Sequence, residues 1–361
     1  MPLQARAPKR EIELDFVRGV AILLVLNFHY CSHNLLIPAV WRLQSAGWVG
    51  VDIFFVLSGF LVGGLMLREW KFTGKVDVVR FLKRRAFKIW PAYYAFLLTA
   101  AAFHVRPLKS FFWQNLLNIQ NYVPSSLSHT WSLAVEEHFY LSLAAVIALF
   151  VSMRWRPSTL LAMCAATALS VEVLRAVLIV LHRPFYFYTH TRIDALVIGV
   201  ALATLFHFYP ARFEALRRQH LFLCLVILTA AIMLFLETEV NRSPHEMISP
   251  FLITIVDYAS AALLLVLYRP RDNHGMFYRL VARIGVYSYG IYLWHVSVER
   301  PVDFMVRHLP TSVGTWVSTF SPYILAVALG FATTRVIDLP FLRLRERLVP
   351  PTIPEATVTV A

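Results

Sequence analysis

The chain has 361 residues, of which 58% are hydrophobic and only 15% charged, with a formal net charge of +13. Mean hydropathy is positive, and a soluble domain of this size cannot hide so much apolar surface, which leaves a polytopic membrane protein. Nucleic acid binding is compatible with the net charge but not with where the charges sit.

The basic, proline-containing start from Pro2 to Arg10 runs into an apolar stretch in the manner of a signal peptide. That stretch carries Arg18 and lacks a small-residue cleavage site, so it reads as an uncleaved first span. Within DFVRGVAILLVLNFHY at 15–30, Arg18 and His29 are eleven residues apart. Both therefore lie on one face of a helix, about 16 Å apart along its axis. A charge inside a span costs on the order of 2.5–3.5 kcal/mol on insertion scales and is read by default as functional. The alternative is an arginine snorkelling to headgroups and a histidine satisfied by a neighbouring helix.

The second apolar window, GWVGVDIFFVLSGFLVGGLML, contains Gly59 and Gly63 at the spacing that lets helices pack closely, with Ser58 beside them. Ser58 has no nucleophile-elbow context. The following loop ends in FLKRRAFKIWPAYY, where Lys83, Arg84, Arg85 and Lys88 precede Pro91. Topology accounts for some of these cations. Running into a helix, they also suit a clamp for phosphates, which Arg18 would extend inward. The outer segment 105–130 contains QNLLNIQNY, whose amides suit either sugar hydroxyls or a solvated turn. Cys31, Cys164 and Cys224 are far apart in apolar stretches and read as small core residues, with neither a disulfide framework nor a metal site indicated. Asn241-Arg-Ser243 matches a glycosylation sequon by pattern only.

Apolar windows fall at about 14–33, 48–67, 89–104, 131–151, 158–181, 193–209, 220–236, 251–268, 284–299 and 318–337. The expected fold is an all-α polytopic membrane helix bundle with about ten transmembrane helices and cytoplasmic N- and C-termini. On that topology the inner segments hold 24 of the 34 lysines and arginines, as the positive-inside rule requires. The positive charge is then mostly topological, and nucleic acid is not an expected partner. Residues 1–10 form a cytoplasmic tail, 11–347 the membrane domain, and 348–361 a tail expected to be disordered.

The same topology brings ionisable residues to one level in the outer half of the membrane. They are His29, Asp52, Glu136 and Glu137 in WSLAVEEHFYL, Glu172 and Arg175, Arg192 and Asp194 in THTRIDAL, Asp257, and His295 in YLWHVSVER. Such a layer is costly unless its members face a shared aqueous cavity or pair with one another. Adjacent Glu136 and Glu137 point about 100° apart on a helix, so at most one is expected to face a cavity squarely.

These motifs in this order resemble the acyltransferase-3 family of integral membrane acyltransferases, which includes bacterial O-antigen and exopolysaccharide O-acetyltransferases. The resemblance rests on Arg18-x10-His29, GVDIFFVLSGFL at 50–61, the basic run ending in Pro91, HTWSLAVEEHFYL at 129–141, RIDAL at 192–196, YSYGIYLWH at 287–295 and IDLPF at 337–341. It implies an acyl-CoA donor, usually acetyl-CoA, entering from the cytoplasm, and a hydroxyl acceptor on a cell-surface glycan, a lipid-linked sugar or a related molecule. It implies a catalytic role for His29 and donor handling by Arg18 and the basic run. The family's Arg-x-x-Arg reads Arg85-x-x-Lys88 here, which loses one forked guanidinium. The C-terminal acidic-basic-Pro motif reads Asp338-Leu339-Pro340, His138 replaces a common glutamine, and no esterase-like domain follows.

The expected function is O-acyl transfer in the bacterial inner membrane. His29, Glu136 and Glu137 would be catalytic, and Arg18, Arg84, Arg85 and Lys88 would bind the donor. His29 would act as a general base or carry the acyl group, and a glutamate would fix its tautomer or bind the acceptor. Asp52, Arg192, Asp194 and His295 form a substrate-binding or structural polar layer. The alternative is a proton-coupled secondary transporter using the same buried groups, although no internal repeat is present.

Overall fold

A computed structural model describes residues 11–30, 46–103, 106–240, 250–268 and 273–353. Cys31, the tail 1–10, the sequon at 241–243 and residues 354–361 lie outside the described residues. The described chain is all-helical. In order, the helices are α1 (Ile12–Tyr30), α2 (Val49–Thr73), α3 (Val78–Ala102), a short α4 (Phe112–Leu116), α5 (Trp131–Ser152) and α6 (Pro157–Val180). There follow α7 (Ile193–Phe208), α8 (Pro210–Arg217), α9 (His220–Val240) and α10 (Pro250–Leu267). The last are α11 (Met276–Val286), α12 (Ser288–Trp294), α13 (Glu299–Val306), α14 (Thr311–Thr333) and α15 (Leu339–Leu348).

Within the described residues each predicted window falls largely on helix, but length and apolarity alone qualify only five helices among the described residues as membrane-crossing. A sixth is added if α7 and α8, bent by 119°, count as one span. The difference from about ten has local causes. Glu13, Asp15 and Arg18 lower the apolarity of α1, and the basic run does the same for α3. The 284–299 window is broken into α11, α12, a 3-10 turn at His295–Val298 and α13.

Helix α2 is the spine, packed against α1, α5, α7 and α10. Its approach to α7 depends on reciprocal glycines. A Cβ on Gly59 would lie 1.9 Å from the carbonyl oxygen of Leu196, and one on Gly199 would lie 2.2 Å from that of Val56. No side chain fits at either site, and backbones this close gain dispersion along both helices. At the periphery, α6 and α9 present Leu169, Val173, Val180, Leu221, Phe222 and Leu225 outward. Helices that keep so much apolar surface outside the protein interior require a lipid solvent, so the molecule is a multi-pass membrane protein.

Two devices orient the basic helix. Asp77 caps α3 by accepting the Arg80 amide at 2.9 Å, satisfying a backbone donor that the helix itself leaves open. Beyond its C-terminus, α15 leads into a segment held against the start of α3. Arg84 donates to the Val349 carbonyl at 2.5 Å, and Arg80 donates to the Thr352 hydroxyl.

Candidate active site

Helices α1, α2, α3, α5, α11 and α12 enclose a cavity of about 320 Å³. Arg18, Arg85 and Lys88 line it, together with Ser58, Glu136, Glu137 and Tyr140. Ser132, Ser288, Tyr289 and Tyr292 add a ring of hydroxyls. Three cations and two carboxylates from three helices therefore share one chamber.

Glu136 is held from two sides. Ser58 Oγ donates to its Oε1 at 3.0 Å and the Tyr140 hydroxyl to its Oε2 at 2.6 Å, the two hydroxyls being 3.2 Å apart. Tyr140 reaches the carboxylate because it sits one turn further along α5. Glu137 turns toward α3 and accepts from Trp90 Nε1 at 3.4 Å. Both glutamates line the cavity, whereas the 100° separation predicted one. The two side chains turn to different neighbours, Glu136 to Ser58 on α2 and Glu137 to Trp90 on α3, and both helices line the chamber.

The four-residue cationic clamp divides. Arg18 pairs with Asp15 at 2.9 Å while lining the cavity. Lys88 Nζ lies 5.7 Å from the centre of the Tyr289 ring, whose hydroxyl donates to the Ile89 carbonyl at 2.8 Å. Arg84 is not in the wall. Its guanidinium forks onto Glu346, at 2.9 Å for the shorter contact, so it ties α3 to α15.

The remaining polar layer pairs internally and lies outside the cavity wall. Arg192 pairs with Asp52, both fully buried, and its guanidinium is 4.9 Å from the Tyr186 ring centre. Arg175 contacts Asp194 at 2.5 Å, Glu172 at 3.1 Å and the Thr254 hydroxyl at 2.6 Å. Asp257 is buried at the same junction. These groups lock α2, α6, α7 and α10 together. The amide-rich segment is also internal. Asn115 donates to the Thr130 hydroxyl at 2.6 Å, and Gln120 donates to the Thr130 carbonyl at 2.9 Å and the Tyr93 hydroxyl at 3.1 Å. Those two amides are buried and staple the loop.

His29 lies at the end of α1, exposed, and is not in the cavity wall. It belongs to a cluster of three histidines. Its ring centre is 4.6 Å from that of His295, which is 5.3 Å from that of His129. The rings are not arranged to hold a metal ion, and no such group is found among the described residues. Tyr292 forms the partition. It lines the cavity, donates from its hydroxyl to the His129 carbonyl at 2.6 Å, and packs 5.8 Å from the His295 ring centre. Arg18 and His29 thus occupy the two ends of one helix, with the chamber at the arginine end and the histidines beyond Tyr292.

Sequence reasoning missed His129, Tyr140 and Tyr292, and set Ser58 aside as a packing residue. The i,i+4 pair Glu136–Tyr140 was the available signal. For His129 and Tyr292 there was none, because they meet across 163 residues.

A family model for an acyltransferase domain matches residues 11–335. The chain is 26% identical over 318 residues to the O-acetyltransferase OatA of Staphylococcus aureus, covering 79% of this chain and 50% of the relative. It is 28% identical over 322 residues to the peptidoglycan O-acetyltransferase OatA of Listeria monocytogenes, covering 80% and 50%. The chain therefore spans about half the length of these curated relatives. No solved structure matches it. None of these comparisons supports the transporter alternative. With the family model extending over almost the whole helical bundle and its cavity, the chain belongs to the acyltransferase-3 family.

Proposed function

We propose that the protein is an O-acyltransferase of the bacterial inner membrane that moves an acyl group, acetyl in the expected case, from cytosolic acyl-CoA to a glycan hydroxyl at the outer face. The name of the Listeria monocytogenes relative points to a peptidoglycan-type acceptor. The observation that carries this reading is the cavity in which Arg18, Arg85 and Lys88 stand opposite Glu136 and Glu137. The lysine and arginine distribution supports ten spans with both termini cytoplasmic, an orientation in which the basic end of that cavity would face the cell interior.

In this mechanism Arg18, Arg85 and Lys88 take the nucleotide phosphates, since guanidinium forks match phosphate geometry. The pantetheine arm extends through the chamber toward Tyr292, beyond which lie the histidines. Movement of the Tyr292 partition brings the thioester to His29. There His29 removes the proton from the acceptor hydroxyl as its oxygen bonds to the thioester carbon. The carbon–sulfur bond breaks, and the thiolate leaves with the proton held by the imidazolium. Glu136, fixed by two hydroxyls, lines the chamber beside these cations and would border the donor.

The decisive experiment incubates protein in liposomes with radiolabelled acetyl-CoA and peptidoglycan fragments. Wild type is expected to transfer the label, and His29→Ala to lose transfer while folding and inserting normally. Near-wild-type transfer by that variant removes His29 from the mechanism. Failure of wild type to consume the thioester ends the proposal.

A further inference from the structure

The mechanism needs a group that fixes the His29 imidazole, and the paired glutamates are engaged elsewhere, Glu136 by Ser58 and Tyr140 and Glu137 by Trp90. We infer that His295 is the positioning residue for His29, accepting its N–H so that the opposite ring nitrogen is presented as the base. This rests on the catalytic reading of His29 given above.

Tautomers carry the argument. His295 Nδ1 lies 2.6 Å from the Tyr292 carbonyl oxygen. A carbonyl only accepts, so the proton of the neutral ring sits on Nδ1 and Nε2 holds a lone pair. Nε2 is buried and has no hydrogen-bond partner among the described residues. Leaving a buried acceptor unpaired is destabilising, so a donor brought to it is favoured. Two imidazoles adjoin the ring. His129 has Nε2 3.3 Å from the Leu293 carbonyl oxygen, so its proton is committed there and its other nitrogen is also an acceptor. His129 in that tautomer has no N–H to offer. His29, with its ring centre 4.6 Å away and tilted by 58°, is the neighbour whose N–H can turn to His295 Nε2.

A second tie keeps the two in register. The hydroxyl of Tyr30, next in sequence to His29, donates to the backbone carbonyl of His295. When His29 takes the acceptor proton, its bond to His295 becomes charge-assisted and strengthens. The third-group logic of nucleophile–base–orienter sites is thus met by an imidazole in place of a carboxylate.

The test compares His295→Ala with His295→Gln, in which the side-chain carbonyl can replace the Nε2 acceptor. Acetyl-CoA consumption and glycan acetylation are measured by steady-state kinetics in liposomes, and detergent-solubilised melting serves as the folding control. His295→Ala is expected to lower kcat by on the order of 10²-fold with KM for acetyl-CoA unchanged, because His295 lies outside the wall that carries Arg18, Arg85 and Lys88. His295→Gln is expected to recover at least tenfold of that loss. Where alanine does not fold, His295→Leu, which fills the space without an acceptor, takes its place. Unchanged kcat in His295→Ala overturns the inference. So does equal loss in the alanine and glutamine variants, which marks a packing role, or a loss confined to KM. If His29→Ala retains activity, the catalytic reading itself falls. If only His29 is essential, the error is confined to His295.

Discussion

The cavity separates residues that look equivalent in the sequence. Arg84 and Arg85 are neighbours in one basic run, yet Arg84 is committed to Glu346 and the Val349 carbonyl while Arg85 lines the chamber. A hydrogen bond to a charged group contributes about 1.5–3 kcal/mol, and 1.4 kcal/mol is about tenfold in affinity. Arg85→Ala is therefore expected to raise KM for acetyl-CoA by about 10–100-fold with a smaller change in kcat. Arg84→Ala should leave KM within about twofold and instead lower the melting temperature. Equal KM effects from the two variants would contradict the division of the clamp. A similar contrast applies at Glu136. Ser58→Ala and Tyr140→Phe each remove one donor, and each should reduce transfer less than Glu136→Gln, as measured by label transfer at saturating donor. At this scale the sequence showed which residue types would matter, because cations and carboxylates in apolar runs are conspicuous. It did not show which of them pair among themselves. Asp52, Arg192 and Asp194 were candidates for a wet layer, but they close on one another and on Arg175, so their charges are compensated without solvent.

Helix packing makes its own predictions, because the contacts that position the chamber are glycine-mediated and ionic. At the Gly59–Leu196 contact a methyl group would overlap a backbone oxygen, which cannot rotate away. Gly59→Ala is therefore expected to destabilise by about 1–3 kcal/mol or more through overpacking and to lower both melting temperature and the yield of inserted protein. Gly74→Ala makes a useful contrast. Gly74 has a φ of 67° but nothing within 4 Å of an added Cβ, so its cost is local backbone strain alone. Removing one member of the buried Asp52–Arg192 pair should be costlier, about 3–5 kcal/mol, because it leaves the partner's charge buried without compensation. Asp52→Ala with wild-type melting would show that the pair does not hold α2 to α7. Elements of this kind were partly legible. The Gly59–Gly63 spacing announced a close crossing, and hydropathy located every long apolar helix. The breaks around Tyr287 and His295 were only hinted at by the polar residues that interrupt the 284–299 window, and nothing there showed that leaving the helix would bring His295 beside His29.

Whole-molecule orientation ties the chamber to the proposed reaction, in which a cytosolic thioester reaches the basic end and an acceptor the histidine end. Along α1, Arg18 and His29 are eleven residues apart, so in that mechanism the membrane face nearer Arg18 would be the donor face. The positive-inside rule predicts that this face is cytosolic, since Lys71 in the last turn of α2, Lys75 just beyond it and the basic start of α3 cluster at one end of α2. Site-directed cysteine labelling tests the assignment independently of activity, after Cys31, Cys164 and Cys224 have been replaced. A cysteine at Lys75, exposed beyond α2, should react with a membrane-impermeant maleimide only after the cells are permeabilised. One at Tyr122, exposed on the loop that precedes α5, should react in intact cells. The converse pattern would put the cationic end of the chamber outside, where no acyl-CoA is supplied, and the proposed direction of transfer would fail even if every residue in the wall proved essential.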